Sequence, residues 1–199
     1  MTATTTLRSE HNHILAMAAC LRAACAAAEA GGLFDAGTFQ KGIDFIRHYA
    51  DAWHHAKEEE YLFPALQSLG MPREEGPLAV MLHEHDLGRT YACRMAEYLG
   101  AATGGDGAAR AMVVQYTLAY ADLITRHIQK ENGILFNMAD RMLPPEEHAR
   151  LEQVYPSAVP AGANPETGSL YEGVVAALCR QWNVDARQAA AIGSTFRCG

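Results

Sequence analysis

The sequence predicts an all-α protein, an antiparallel up-down four-helix bundle followed by a short fifth helix and a C-terminal helical tail. Three observations carry this. Four long stretches place apolar residues at helical spacing, as Phe39, Ile43, Ile46, Ala50 and Trp53 do in the second. Glycine- and proline-rich stops divide them, and no stretch alternates long enough to read as a strand. A pattern in the second stretch, H-x-x-K-E-x-x-x-L-F at 54–63, returns in the fourth at 127–136.

Helix 1 is expected from about Thr6 to Ala30, capped by Thr5 or Thr6 and ended by Gly31-Gly32. Its run from Ala16 to Ala30 is rich in alanine, the best helix former. Helix 2 opens at Asp35 or Thr38 and runs to about Leu69, where Gly70-Met71-Pro72 stops it. Pro64 lies inside it and predicts a kink or break. Helix 3 runs from about Pro77 to Leu99-Gly100 and helix 4 from about Ala108 to Met142. Pro145-Glu146-Glu147 opens the short fifth helix, with proline and acids in its first turn. Residues 1–155 form the bundle and this helix. Residues 156–199 form a Pro/Gly-rich linker and a helical extension with apolar segments at Leu170–Trp182 and Ala186–Ile192. The extension is too small for a core of its own and is expected to pack on the bundle or mediate a contact.

At 199 residues and 49% hydrophobic content, one domain with a substantial core is expected. A net charge of −7 argues against nucleic acid as a partner. No apolar run reaches the roughly 20 residues that span a bilayer, and residues 1–7 lack the basic and apolar regions of a signal peptide. Five cysteines without a framework spacing read as free thiols. Cytoplasmic localisation without membrane association is the expectation.

The repeat singles out the chemistry. His54 and Glu58, like His127 and Glu131, stand four residues apart and share a helix face. Upstream lie Glu10-His11 and Glu84-His85, so that His11 precedes His54 by 43 residues and His85 precedes His127 by 42. The candidate metal ligands are therefore His11, His54, Glu58, His85, His127 and Glu131. Four imidazoles and two carboxylates in a bundle suit two first-row metal ions, with each Glu able to bridge both. Nitrogen and oxygen donors without thiolate favour iron or manganese over a structural zinc site, although zinc can occupy such ligands too. Six ligands leave open positions for a bridging oxide or water and a small exogenous ligand.

Residues around this set are read with less support from the repeat. Glu10, Glu84 and Asp86 are candidates to receive imidazole N–H bonds from metal-bound histidines on other helices, with a solvated carboxylate as the plain alternative. Tyr61 and Tyr120 are candidates to face the site, a core tyrosine being the alternative. His48, His55, His83 and His148 read as surface or supporting residues. The pair His55/Glu59 rivals His54/Glu58, but the second copy has Ile128 and Asn132 there. His55 or His83 as a seventh ligand stays open. Gly88, beside His85 on helix 3, suggests room for a ligand or close helix packing.

These residues resemble the hemerythrin-like family, the HHE cation-binding domains, in their bacterial form. The segments HHAKEEEYLFPAL (54–66) and MLHEHDLGR (81–89) are similar to its second- and third-helix motifs, and the resemblance covers about residues 7–143. It implies a four-helix bundle with a non-haem di-iron centre, oxo- or hydroxo-bridged. His11, His54, His85 and His127 would be iron ligands there, and Glu58 and Glu131 bridges. Oxygen-carrying members have a further His four residues along helix 3 and an Asp on helix 4. Here those positions hold Arg89 and the Glu of H-x-x-x-E, so the further His is absent or comes from elsewhere. The departure points to a protein that binds and reacts with a small oxidant or gas (O₂, NO or peroxide), an oxidoreductase served by a redox partner protein. Reversible O₂ or NO binding, sensing or storage without turnover is the alternative. Members linked to iron-centre repair carry an N-terminal cysteine-bearing domain, which is not expected here.

Overall fold

The computed structural model describes residues 2–157 and 166–193, among which all regular structure is helical. The first arm is α1 (Ala3–Glu29). The second is α2 (Ala36–Phe45), which continues through π-helical segments Ile46–His55 and Glu58–Leu62 into α3 (Phe63–Ser68). The third is α4 (Gly76–Thr103). The fourth is α5 (Gly107–Lys130), running through a π segment Glu131–Leu135 into α6 (Phe136–Met142). Then follow α7 (Pro145–Val154), a 3₁₀ turn at Tyr155–Ser157, α8 (Thr167–Trp182) and α9 (Ala186–Ile192). Each of the four arms packs on the next, and α1 closes on α5. No helix among the described residues is long and apolar enough to cross a membrane.

Local chemistry sets the starts. The Asp35 carboxylate accepts from the Thr38 N–H (3.1 Å), and Asp106 accepts from Ala108 and Ala109 (2.8 and 3.1 Å), so each satisfies orphan donors of a first turn. Helix α1 begins three residues before the expected Thr6. Its early turn is held because Ala3 and Leu7 are buried and the Ala3 N–H donates to Nδ1 of His148 in α7 (3.2 Å). His148 thus serves as a buried cap.

Pro64 does not break its helix. The preceding turn is π-helical: the Phe63 N–H reaches back five residues to the Glu58 carbonyl. The fourth arm makes the same turn, Phe136 N–H to Glu131 carbonyl, with Asn137 in place of proline. The wide turn therefore belongs to the repeat, and Pro64 follows a turn already open. π turns are rare and gather at functional sites.

Two apolar clusters fill the bundle. One includes Leu7, Leu62, Phe63, Met81, Leu135, Phe136 and Leu151. The other includes Ile14, Ala50, Ala92, Ile124 and Ile128, together with Val175 and Leu178 of α8. Every arm passes from one to the other across a short polar stretch: His11, His54 to Glu58, His85, and His127 to Glu131. Burial of each large apolar side chain contributes about 1.5–3 kcal/mol, and the two clusters clamp the buried polar layer between them.

The extension packs on the bundle. Helix α8 lies on α1, α2 and the first π segment, where the Trp182 indole N–H donates to Thr38 Oγ1 (3.0 Å) and Cys179 Sγ lies 3.6 Å from Cys20 Sγ. Helix α9 packs on α1. Of the expected linker, residues 158–165 lie outside the described ones, as does Cys198.

Candidate metal centre

The fold brings all six repeat-defined residues into one buried layer, each no more than 1% exposed. They form two groups. In one, His11, His54, Glu58 and Glu131 each offer a ligand atom, all within 4.8 Å of one another. In the other, His55, Glu58, His85 and His127 do the same. Glu58 joins the two: one oxygen lies 3.6 Å from His54 Nε2 and the other 3.5 Å from His85 Nε2. Glu131 spans them as well, its Oε2 standing 3.1 Å from His11 Nε2 and 3.2 Å from His127 Nε2.

His55 is the residue that the repeat passes over. It is buried, its ring stacks on His85 with centroids 3.8 Å apart, and it belongs to the second group. Adjacent residues on a helix diverge by about 100°, so His54 and His55 address different halves of one centre. The second copy has Ile128 at this position, and symmetry therefore hid His55. The signal that could have found it is Asp51, four residues earlier, 3.4 Å from His55 Nδ1. His48 and His83 are exposed, and His13 sits 3.7 Å from Glu172, away from the layer.

A second ring of groups holds the imidazoles. His54 Nδ1–H donates to Glu10 (2.9 Å) and His127 Nδ1–H to Glu84 (3.0 Å). Lys57 pairs with Glu10 and Lys130 with Glu84, which explains the lysine of H-x-x-K-E. His85 Nδ1–H donates to Glu59 (2.7 Å), and His11 Nδ1–H to the Asn132 side-chain oxygen (2.9 Å). Glu59 and Asn132 each directly follow a spanning Glu. The final phenylalanines of the repeat stack on the same two rings, Phe63 on His85 and Phe136 on His11 (6.0 and 5.3 Å). Asp86 reaches no imidazole: its exposed carboxylate pairs with Arg89 (2.8 Å). One residue past His85 on the helix, it points outward, whereas Glu84 points toward α5. Arg89 also binds Asp51 and Glu59 (2.8 and 2.6 Å), and so fixes the two carboxylates behind His55 and His85. Tyr61 packs against the cluster containing Phe63.

Tyr120 does approach the site. Its hydroxyl is buried without a hydrogen-bond partner among the described residues, and its ring lines a cavity of about 280 Å³ bordered by His55, His85 and His127. Gly88 lines the same cavity. A Cβ added there would stand 3.6 Å from the Tyr120 ring, an ordinary contact, so the glycine leaves space without being required for packing.

The protonation of the layer is polarised. Burial pushes His54 down to about 3 against the pull of Glu10, and lowers His55 and His85. His127 goes the other way: burial lowers it, but Glu131 and Glu84 together lift it to about 9. Burial and the neighbouring Glu131 charge push Glu58 well above the carboxylate range. Glu131, despite its burial, is held well below by His127 and His11.

The donor set fits cations. His11 Nε2, His54 Nε2, both His55 nitrogens and all four oxygens of Glu58 and Glu131 are buried with no hydrogen-bond partner among the described residues. His85 and His127 point Nε2 at one another, 3.2 Å apart. Burying so many polar atoms unpaired is costly, and metal ions accepting their lone pairs would offset that cost.

A family comparison decides the kinship: residues 2–139 match the hemerythrin HHE cation-binding domain. The chain belongs to this family. A curated relative, the iron–sulfur cluster repair protein DnrN of Neisseria gonorrhoeae, is 37% identical over 86 residues, covering 42% of this chain and 54% of the relative. The chain thus spans about half the length of the curated relative that it matches. No solved structure matches.

Proposed function

We propose that this HHE domain holds two iron ions and that the pair binds and reacts with a small oxidant or gas: O₂, NO or peroxide. The observation that carries this is the pair of buried His/Glu groups sharing Glu58, with a cavity reaching one of them. The iron–sulfur repair relative adds support for iron. His55, His85 and His127 would hold one ion and His11 and His54 the other, with Glu58 and Glu131 bridging. His55 thus supplies the further imidazole whose usual helix-3 position is taken by Arg89. The cavity borders His55, His85 and His127, so a small exogenous ligand would approach the centre from that half. When bound, the irons supply one-electron redox chemistry. The chain's own residues fix imidazole orientation through Glu10, Glu84, Glu59 and Asn132, and the apolar walls keep bulk water away.

Regeneration of the ferrous state needs an electron donor, for which a redox partner protein is the natural class. Recovery of His55 also favours a second reading, since it restores a three-plus-two imidazole count that suits reversible binding without turnover. One experiment separates the two. Ferrous protein is cycled between O₂ and inert gas, then given peroxide or NO together with an excess of a chemical reductant, with optical spectra recorded throughout. Irreversible oxidation with catalytic consumption of peroxide or NO is the expected result. Full, repeated return to the ferrous spectrum without turnover would establish the reversible binder instead. Protein that carries no metal pair when expressed with ample iron would overturn both.

A further inference from the structure

Four imidazoles of the repeat are each held at Nδ1, but not by the same chemistry. His54, His85 and His127 face carboxylates, from Glu10, Glu59 and Glu84. An ionised carboxylate only accepts, so it fixes the imidazole with the proton on Nδ1 and leaves Nε2 free as a ligand. His11 faces an amide, that of Asn132, which can present either an acceptor or a donor. Turned over, it would donate to Nδ1, move the imidazole proton to Nε2 and block the metal-facing nitrogen.

What sets the amide is the tail. Asn132 Nδ2 donates to the backbone carbonyl of Gly193, just past α9 (3.3 Å). A carbonyl can only accept, so it keeps the NH₂ turned its way and the amide oxygen toward His11. Two features seat that carbonyl. The Gln129 side-chain amide donates to the carbonyl of Ile192 (2.9 Å). Gly193 itself is pressed into the bundle, where an added Cβ would lie 2.6 Å from Leu15 Cδ1 and 3.2 Å from Ile128 Cγ2. The family match ends at residue 139, so this contact comes from a part of the chain outside it.

We propose that the C-terminal helix α9 is a working part of the metal centre: through the Gly193 carbonyl and Asn132 it sets the tautomer of His11 and so the hold on the metal of the His11/His54 half. Asn132 is a positioning residue in this role, which rests on the two-metal reading above.

The test uses full-length chains loaded with ferrous iron and, separately, with zinc, which brings no redox chemistry. Metals per chain and the rate of release to a chelator are measured. Gly193→Val crowds Leu15 and Ile128 at the seat, and Ala189→Asp places a charge at a buried position of α9. Each is expected to release one of the two metals about tenfold faster, the lower end for a lost outer-sphere contact, while the second metal leaves at the wild-type rate. Asn132→Asp gives His11 an acceptor that needs no tail, as Glu59 gives His85. In that background Gly193→Val is expected to change nothing. Equal acceleration by Gly193→Val in the wild-type and Asn132→Asp backgrounds would show that the tail acts through general stability and overturn the proposal. So would unchanged release in both tail variants. A wild-type chain that takes up no metal pair would instead overturn the two-metal reading, and this role with it.

Discussion

At the residue scale the centre is defined by what each imidazole faces. His55 and His83 are equal candidates for a seventh ligand by type, yet one is buried in the layer and the other exposed. His55→Ala is expected to lower metal content from two per chain toward one, with His83→Ala unchanged, by elemental analysis of iron-loaded protein. Glu59→Gln replaces an obligate acceptor with an ambiguous amide behind His85 and frees Arg89 from one partner. It should weaken metal binding about 10–100-fold, read as chelator competition, whereas Glu60→Gln on the exposed side should leave it unaltered. Protonation gives a further expectation. His127, lifted to about 9 by Glu131 and Glu84, carries a proton at pH 7 that a metal ion must displace, and burial beside Glu131 makes Glu58 hold its proton more tightly than an ordinary carboxylate. Uptake should therefore release protons, and affinity should fall as pH falls. Indicator-dye titration in weak buffer checks this, and uptake without proton release would contradict it.

At the element scale the repeat carries more than ligands. Its lysine pairs with the carboxylate behind an imidazole, its final Leu-Phe enters the cluster on one side of the layer, and its Phe lies against a histidine ring. The π turn from Glu to Phe lets both ends of one short segment face inward. Phe136→Ala should cost about 3–5 kcal/mol by denaturant unfolding of metal-free protein, while Ile134→Ala, 40% exposed two residues earlier, should stay within about 0.5 kcal/mol. The four arms were legible because stops such as Gly70-Met71-Pro72 and Asp106 act locally. The six residues that the fold gathers into one buried layer were legible because the repeat states them twice. His55 was not, since it occurs in one copy only and lies beside a residue that already explained the motif. The fate of Pro64 was not legible either, because proline rules describe α-helices and the turn before it is not one. The roles of Arg89, Asn132 and the tail depend on contacts across 30 to 121 residues of chain, which no local pattern encodes.

For the whole molecule, the polar layer divides one core into two clusters, and its unpaired donors and acceptors weigh against folding until cations fill it. Metal bound only by the folded chain stabilises by RT ln(1 + [L]/Kd), about 2.7 kcal/mol per site at a hundredfold excess over Kd. Two such sites give roughly 5 kcal/mol, which at 2–4 °C per kcal/mol for a chain of this size is a Tm rise of about 10–20 °C. Glu58→Ala should separate this from ordinary packing, because it acts with opposite signs in the two states. Without metal it removes a buried carboxyl whose two oxygens have no hydrogen-bond partner among the described residues, so the variant should unfold at or above the metal-free wild-type Tm. With metal it loses the residue that both groups share, so most of the 10–20 °C gain should disappear. Thermal unfolding of both proteins, chelated and loaded, tests the pair of outcomes. A variant destabilised equally with and without metal would mean that Glu58 serves packing, and that the layer is held by something other than the cations it is built to receive.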